Sequence, residues 1–375
     1  MRFTGARIFT PNGYMEGSFE TENGVFGAVY PGRAEGAVDL GGRKVLPGLV
    51  DIHTHGNSGA DFSDADPGGL ERMARYLARN GVTSFAPTSM TLPFERLGAA
   101  FETALSLSRN RPKDCARVMG IHMEGPFFSE KRKGAQNGAY LRNPDFESFR
   151  ALYRACSGLI RIVDVAPELP GAAQFAARAR ELAAVSVAHT DATYEQALQV
   201  FRAGATHLTH LFNAMPPIHH RRPGVIGAAS ETESVTAELI CDGYHIHPSA
   251  VRMAFRLFPG RICLISDSIR CCGMPDGEYE LGGLPVKLEA GAARLNDGTL
   301  AGSAANLFSC LRNAVRFGIS EADALRAATL LPAREIGAAD RIGSIEPGKL
   351  ADFVVCGEDL TVQQVFVGGV RLEGR

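Results

Sequence analysis

Eight short runs of apolar and β-branched residues, spread along the middle of this 375-residue chain, constrain its fold more than any other feature. They are Val45–Ile52, Gly81–Pro87, Val118–Met123, Leu159–Glu168, Val185–Ala188, Ala205–Thr209, Val235–Asp242 and Arg261–Ser266. Between most of them lie segments patterned for amphipathic helices, among them Gly69–Arg79, Phe94–Leu107, Gly171–Ala183 and Tyr194–Ala203. Strands that alternate with helices favour parallel pairing, because a parallel neighbour needs a crossover long enough to hold a helix. Such strands are buried on both faces and read as apolar throughout. Eight of these units predict an α/β chain folded as a parallel (β/α)8 barrel.

Polar residues fall at the C-terminal strand ends, which form the mouth where such a barrel does its chemistry. The first run ends on His53-Thr54-His55, and two imidazoles at i and i+2 of an extended strand point the same way. That spacing lets them grip one metal ion from one side, neutral imidazole being a common ligand. Later runs lead into Glu124, His189, His210 and Asp267. These residues are expected to converge with His53 and His55 on one site. All ten histidines lie between His53 and His247, within the predicted barrel.

The ends of the chain differ from its middle. Glycines and β-formers recur in the head, as in Arg7-Ile8-Phe9-Thr10, and again in the tail, as in Ala351–Val355 and Gln364–Val370. Segments 1–48 and 340–375 are expected to pair into one small β-sandwich beside a barrel spanning 49–339. The net charge is −2 with no basic block, which suggests neither nucleic acid nor an anionic membrane as partner. No apolar run reaches the roughly 18 residues of a membrane span, and no charged-then-apolar leader pattern opens the sequence. The eight cysteines are scattered without a Cys-x-x-Cys and read as reduced thiols. The expected setting is the cytoplasm.

Longer strings narrow the reading. They include Pro47-Gly48-Leu49-Val50-Asp51-Ile52-His53-Thr54-His55-Gly56, His122-Met123-Glu124-Gly125-Pro126-Phe127 and Ala188-His189-Thr190-Asp191-Ala192-Thr193. Thr209-His210-Leu211-Phe212-Asn213-Ala214-Met215, Asp242-Gly243-Tyr244-His245, Ser266-Asp267-Ser268 and Gly298-Thr299-Leu300-Ala301-Gly302-Ser303 continue the series. Together the chain resembles the amidohydrolase superfamily and, within it, the N-acetylglucosamine-6-phosphate deacetylases. The opening His-x-His is widely shared, whereas the Glu-Gly-Pro-Phe, His-Leu-Phe-Asn-Ala-Met and Asp-Gly-x-His strings are more specific.

The resemblance implies a TIM-like metal-dependent hydrolase that converts N-acetyl-D-glucosamine 6-phosphate to D-glucosamine 6-phosphate and acetate. An amide carbonyl is a poor electrophile and neutral water a poor nucleophile, and a divalent metal addresses both. By the same resemblance Glu124, His189 and His210 hold the metal that relatives share, and Asp267 serves as general base and then acid. Some relatives replace His53 and His55 and use one metal. Their retention here implies one or two ions, with Glu124 able to bridge and Asp267 touching the second. Zinc fits these ligands best, and iron, manganese and cobalt are compatible.

Substrate contacts carried over are Ala135, Gln136, Asn213, Ala214, Arg221, Asp242, Gly243, Tyr244, His245, Leu300, Ala301 and Gly302. Arg221 and His245 match phosphate ligands that relatives supply from the neighbouring subunit, which implies a homodimer. A guanidinium fork suits phosphate. Where some relatives place a histidine that polarises the acetyl carbonyl, this chain has the uncharged donor Gln136, expected to serve turnover more than affinity.

His122 and His207 are expected to sit behind the ligands, His247 to cap a helix before Pro248, and 270–297 to form a hairpin flanking the site. Dihydroorotases and hydantoinases bridge their metals with a carbamylated lysine, and Glu124 stands in that position here. The strings do not separate the gluco substrate from N-acetylgalactosamine 6-phosphate. A non-catalytic sugar-phosphate-binding descendant is the other alternative, and retention of all six candidate ligand and base residues weighs against it.

Overall fold

In the computed structural model, which describes residues 1–373, eight parallel strands follow one another round a ring. They are Leu49–Thr54, Val82–Pro87, a strand at 117–123 broken at Met119-Gly120, Ile160–Val165, Ala184–Val187, His207–Leu208, Thr236–Ile240 and Ile262–Ile265. Neighbours pair in parallel from Ile121–Met123 through to Ile262–Ile265. A bridge between Thr54 and Ser268 closes the ring, and one between Thr88 and His122 joins the second strand to the third. Each strand overlaps its expected run, with three of them overrunning it by one or two residues.

The intervening helices start where local chemistry starts them. Pro67 opens Pro67–Arg79, and the Asp66 carboxylate accepts from the Gly68 and Gly69 amides. Tyr194–Ala203 is framed by the Thr193–Gln196 capping box and by Gly204 at its end. The apolar faces of these helices, with Leu70, Met73, Leu97 and Phe101, pack on the outside of the strands in one continuous core. His247 caps Pro248–Leu257, accepting from the Ser249 amide, as expected.

The barrel interior departs from the apolar expectation. Asp51, His122, Asp164, His207 and Glu238 are 0 % exposed beneath the mouth. Buried charge is tolerable only when it is paired and hydrogen-bonded. Here Ser266 Oγ donates to Asp51 at 2.6 Å, and Thr209 Oγ1 to Asp164 at 2.9 Å. His122 reaches Asp164 at 3.0 Å and the Ile52 carbonyl at 3.1 Å. An apolar cluster of Val50, Ile52, Ile162, Ile240 and Ile265 against Ala333 and Ile336 fills the rest.

Strands from both ends of the chain share one eight-stranded sheet. The join is Lys44–Pro47 paired antiparallel with Phe353–Cys356. The sheet curls over a phenylalanine cluster, with Phe19 edge-on to Phe353 at 5.1 Å and Phe353 stacked on Phe366 at 4.3 Å. At its far edge the Phe26 amide donates to the Lys349 carbonyl at 2.8 Å. Strands of the 1–48 and 340–375 segments are therefore parts of one sheet. The last two residues of the 340–375 segment lie outside the described residues. Three antiparallel strands, Gly277–Leu281, Leu284–Glu289 and Ala292–Leu295, occupy the 270–297 region. All eight cysteines are buried, and no described helix is long and apolar enough to cross a membrane.

Candidate active site

The six strand-end residues do meet. His189 Nε2 and His210 Nε2 lie 3.1 and 3.2 Å from Glu124 Oε1 and 3.1 Å from each other. His53 Nε2 and His55 Nε2 are 3.3 Å apart and lie 3.5 and 3.3 Å from Asp267 Oδ1. Glu124 stands between the two groups, with Oε1 3.7 Å from His53 and Oε2 3.5 Å from His55. His189, His210 and Asp267 leave their strands at φ of 43°, 31° and 48°. Left-handed backbone at non-glycine residues stores strain, and such strain gathers at functional sites.

Proton accounting shows what this arrangement requires. His53 Nδ1 faces Glu238 Oε2 at 2.8 Å, His55 Nδ1 the Thr88 carbonyl at 3.1 Å, and His189 Nδ1 the Arg132 carbonyl at 2.9 Å. Each of these partners accepts only, so Nδ1 of each ring carries the proton, a tautomer assigned from its partners. In the neutral rings that leaves Nε2 lone pairs turned towards two carboxylates, acceptors facing acceptors. A cation shared between them satisfies all of these acceptors at once. Two trios, Glu124-His189-His210 and His53-His55-Glu124, each bring one donor atom per residue within 4.8 Å of the others. Nitrogen and carboxylate donors of this kind suit a divalent transition metal, so the residues present fit the ion that the fold implies.

Electrostatics agree. Burial raises the Glu124 carboxyl, but hydrogen bonds from His189 and His210 and the His55 charge outweigh it and hold Glu124 well below the usual range. Burial likewise pushes Asp267 up, and His55, His53 and His210 pull it below its ordinary value. Burial lowers His55, yet its bond to Asp267 and the Glu124 charge lift it to about 9. The cluster strongly attracts positive charge.

Above it opens a cavity of about 550 Å³ lined by Gln136, Asn213, Ala214, His245, Leu300 and Gly302, with Lys131, Arg132 and Lys133 on its wall. Ala135 lines it too, as does Leu281 from the three-stranded sheet. Other expected substrate contacts do not. Ala301 is buried, and the Tyr244 hydroxyl donates outward to the Ala290 carbonyl at 2.5 Å. Asp242 holds His245 from behind, 2.7 Å from its Nδ1, next to Gly243 in the same turn. Arg221 points to His220 Nε2 at 2.7 Å, whereas His245 lines the mouth of its own chain.

Gln136 is also placed differently from expectation. Its Oε1 accepts from the Thr91 amide at 2.7 Å, and its Nε2 donates to Glu124 Oε2 at 2.5 Å. Both ends of its amide are therefore held by groups of the protein. Glu238, Thr88 and the Arg132 carbonyl escaped the sequence reading. Of these only Glu238 left a trace, as a charge inside a mostly apolar run.

The amidohydrolase family profile matches residues 44–372. An N-acetylgalactosamine-6-phosphate deacetylase of Escherichia coli O157:H7 is 34 % identical over 367 residues, 97 % of each chain. An N-acetylglucosamine-6-phosphate deacetylase of Bacillus subtilis is 39 % identical over 324 residues, 85 % of this chain and 82 % of that one. The N-acetyl-D-glucosamine-6-phosphate deacetylase of Mycobacterium smegmatis, solved with N-acetyl-D-glucosamine-6-phosphate, superposes with a TM-score of 0.93. That match has 34 % identity and covers 99 % of this chain and 98 % of the other. The chain therefore belongs to the amidohydrolase family and, within it, to the N-acetylglucosamine-6-phosphate deacetylases and their galacto relatives.

Proposed function

We propose that the protein hydrolyses the N-acetyl amide of N-acetyl-D-glucosamine 6-phosphate, releasing D-glucosamine 6-phosphate and acetate. The observation that carries this reading is the cation-demanding cluster of Glu124, Asp267 and four imidazoles at the base of a basic-walled mouth. It pairs an electrophilic centre with a wall suited to an anionic substrate. When bound, a divalent ion supplies a Lewis acid for the amide carbonyl and lowers the pKa of water. Glu124, His189 and His210 would hold one ion, and His53 and His55, with Glu124 and Asp267, a second. Zinc is the first choice, with iron, manganese or cobalt as alternatives.

The remaining work falls to side chains of the mouth. Asp267, ionised at neutral pH, takes a proton from the attacking water at its carboxylate and delivers it to the sugar nitrogen as the C–N bond breaks. Acetate and the free amine are the products. Asn213, Ala214 and His245 face the mouth and are assigned to the sugar phosphate. Arg221, which does not line this chain's mouth, is assigned to that of a partner in a cytoplasmic homodimer. The barrel, 49–339, carries the chemistry, and 1–48 with 340–375 form the accessory domain.

The test is acetate release from both epimeric 6-phosphates by purified protein, with metal measured on the same sample. Faster turnover of the gluco substrate is expected. The E. coli relative, matched over 97 % of its length, favours the galacto epimer as second reading, and faster galacto turnover would select it. Failure of metal-loaded protein to hydrolyse either sugar phosphate would overturn the substrate assignment.

A further inference from the structure

We infer that Glu238 is a positioning residue that fixes the ligating tautomer of His53 and ties the two ion positions together. The inference rests on the reading of His53 and His55 as ligands of a second ion. Glu238 lies on Thr236–Ile240 and is 0 % exposed. Its Oε2 accepts from His53 Nδ1 at 2.8 Å and from the His210 backbone amide at 3.1 Å. One oxygen thus contacts a ligand from each trio. Its Oε1 accepts from His207 Nε2 at 3.2 Å, and His207 Nδ1 lies 2.6 Å from Thr236 Oγ1 and 3.4 Å from Glu335 Oε1.

What singles out His53 is the kind of group that holds it. Backbone carbonyls hold Nδ1 of His55 and His189, and no side-chain change removes them. His53 depends on a side chain, and on a charged one. A carboxylate acceptor both keeps the proton on Nδ1 and makes the opposite nitrogen a stronger ligand. Without it His53 is free to carry its proton on Nε2, the form that cannot bind metal through that nitrogen. The bond to the His210 amide also restrains the turn at φ 31° where that ligand leaves its strand.

The test compares zinc-loaded wild type with Glu238→Met, which keeps the side chain's length and removes both acceptor oxygens, by metal analysis and chelator competition. Wild type is expected to hold two ions. The variant is expected to keep one at wild-type affinity and to bind the second about 10- to 100-fold more weakly. A second measurement needs no altered Glu238. In ¹⁵N-histidine spectra of the zinc form, assigned with His53→Asn, the His53 signal should show a proton on Nδ1. A single ion in wild type would overturn the two-ion reading and this inference with it. Two ions held with unchanged affinity by folded Glu238→Met would overturn the Glu238 inference alone, and a proton on Nε2 of His53 would overturn the reading of His53 as a ligand together with it.

Discussion

Asp267 combines two properties that seldom coexist, burial and ionisation. Burial opposes its charge, but His55, His53 and His210 face it and more than compensate. Asp267→Asn keeps the shape and removes the proton acceptor. Acetate release should fall about 10²- to 10⁴-fold, the usual worth of a general acid–base, while the ion assigned to Glu124, His189 and His210 stays bound. Full retention of turnover would remove Asp267 from proton transfer. Gln136 is a different case, because its amide is locked between the Thr91 amide and Glu124. Gln136→Ala deletes a hydrogen bond to a buried carboxylate, worth about 1.5–3 kcal/mol. It should therefore speed metal loss to chelator as well as lower kcat. Lower kcat with unchanged chelator stripping would restore the sequence-derived role at the acetyl oxygen.

His207 gives a residue-scale prediction for pH. Burial lowers it, but Glu335 and Glu238 raise it to about 10. A group raised on folding contributes stability that is complete below its unfolded value, near 6.5, and lost as pH rises through the folded one. Thermal stability of wild type should therefore decline between about pH 7 and 10, and His207→Gln should show a shallower decline. Parallel curves would mean that His207 is not charged in the folded protein.

Elements were the most legible scale. Each barrel strand and the four named helices announced themselves by period and punctuation, and Tyr194–Ala203 matches its predicted span end to end. The strand-end position of His53, His55, Glu124, His189, His210 and Asp267 was legible for the same reason, since a barrel gathers its C-terminal strand ends. What lay beneath them was not. Asp51, Asp164 and Glu238 are charges inside runs whose apolar average hides them. Their partners are distant in sequence, Glu238 being 185 residues from His53. The register within the end sheet was equally invisible, because pairing of Lys44–Pro47 with Phe353–Cys356 leaves no local signal. Helix starts, being local, allow a sharp prediction. Asp66→Ala removes the acceptor for two amides at the head of Pro67–Arg79 and should cost about 1 kcal/mol. The check is a lower urea midpoint with unchanged kcat, Asp66 being remote from the mouth.

Across the whole molecule, the site and the scaffold draw on different sources of stability. The barrel is held by apolar contact around its outside, the end sheet by a separate phenylalanine cluster, and neither includes a candidate ligand. The mouth collects acceptor atoms that repel one another until a cation arrives. Stripping the metal should therefore abolish acetate release and lower the melting temperature while leaving far-ultraviolet circular dichroism unchanged. Because an ion that binds only the folded state stabilises it by mass action, restoring zinc to about 100 times its Kd should return roughly 2.7 kcal/mol per site. His53→Asn should remove only part of that gain and His189→Asn should remove more, since Glu124 and His210 cannot alone complete the inner trio. Equal melting temperatures with and without metal, in protein whose metal content has been measured, would mean that protons rather than an ion neutralise the cluster.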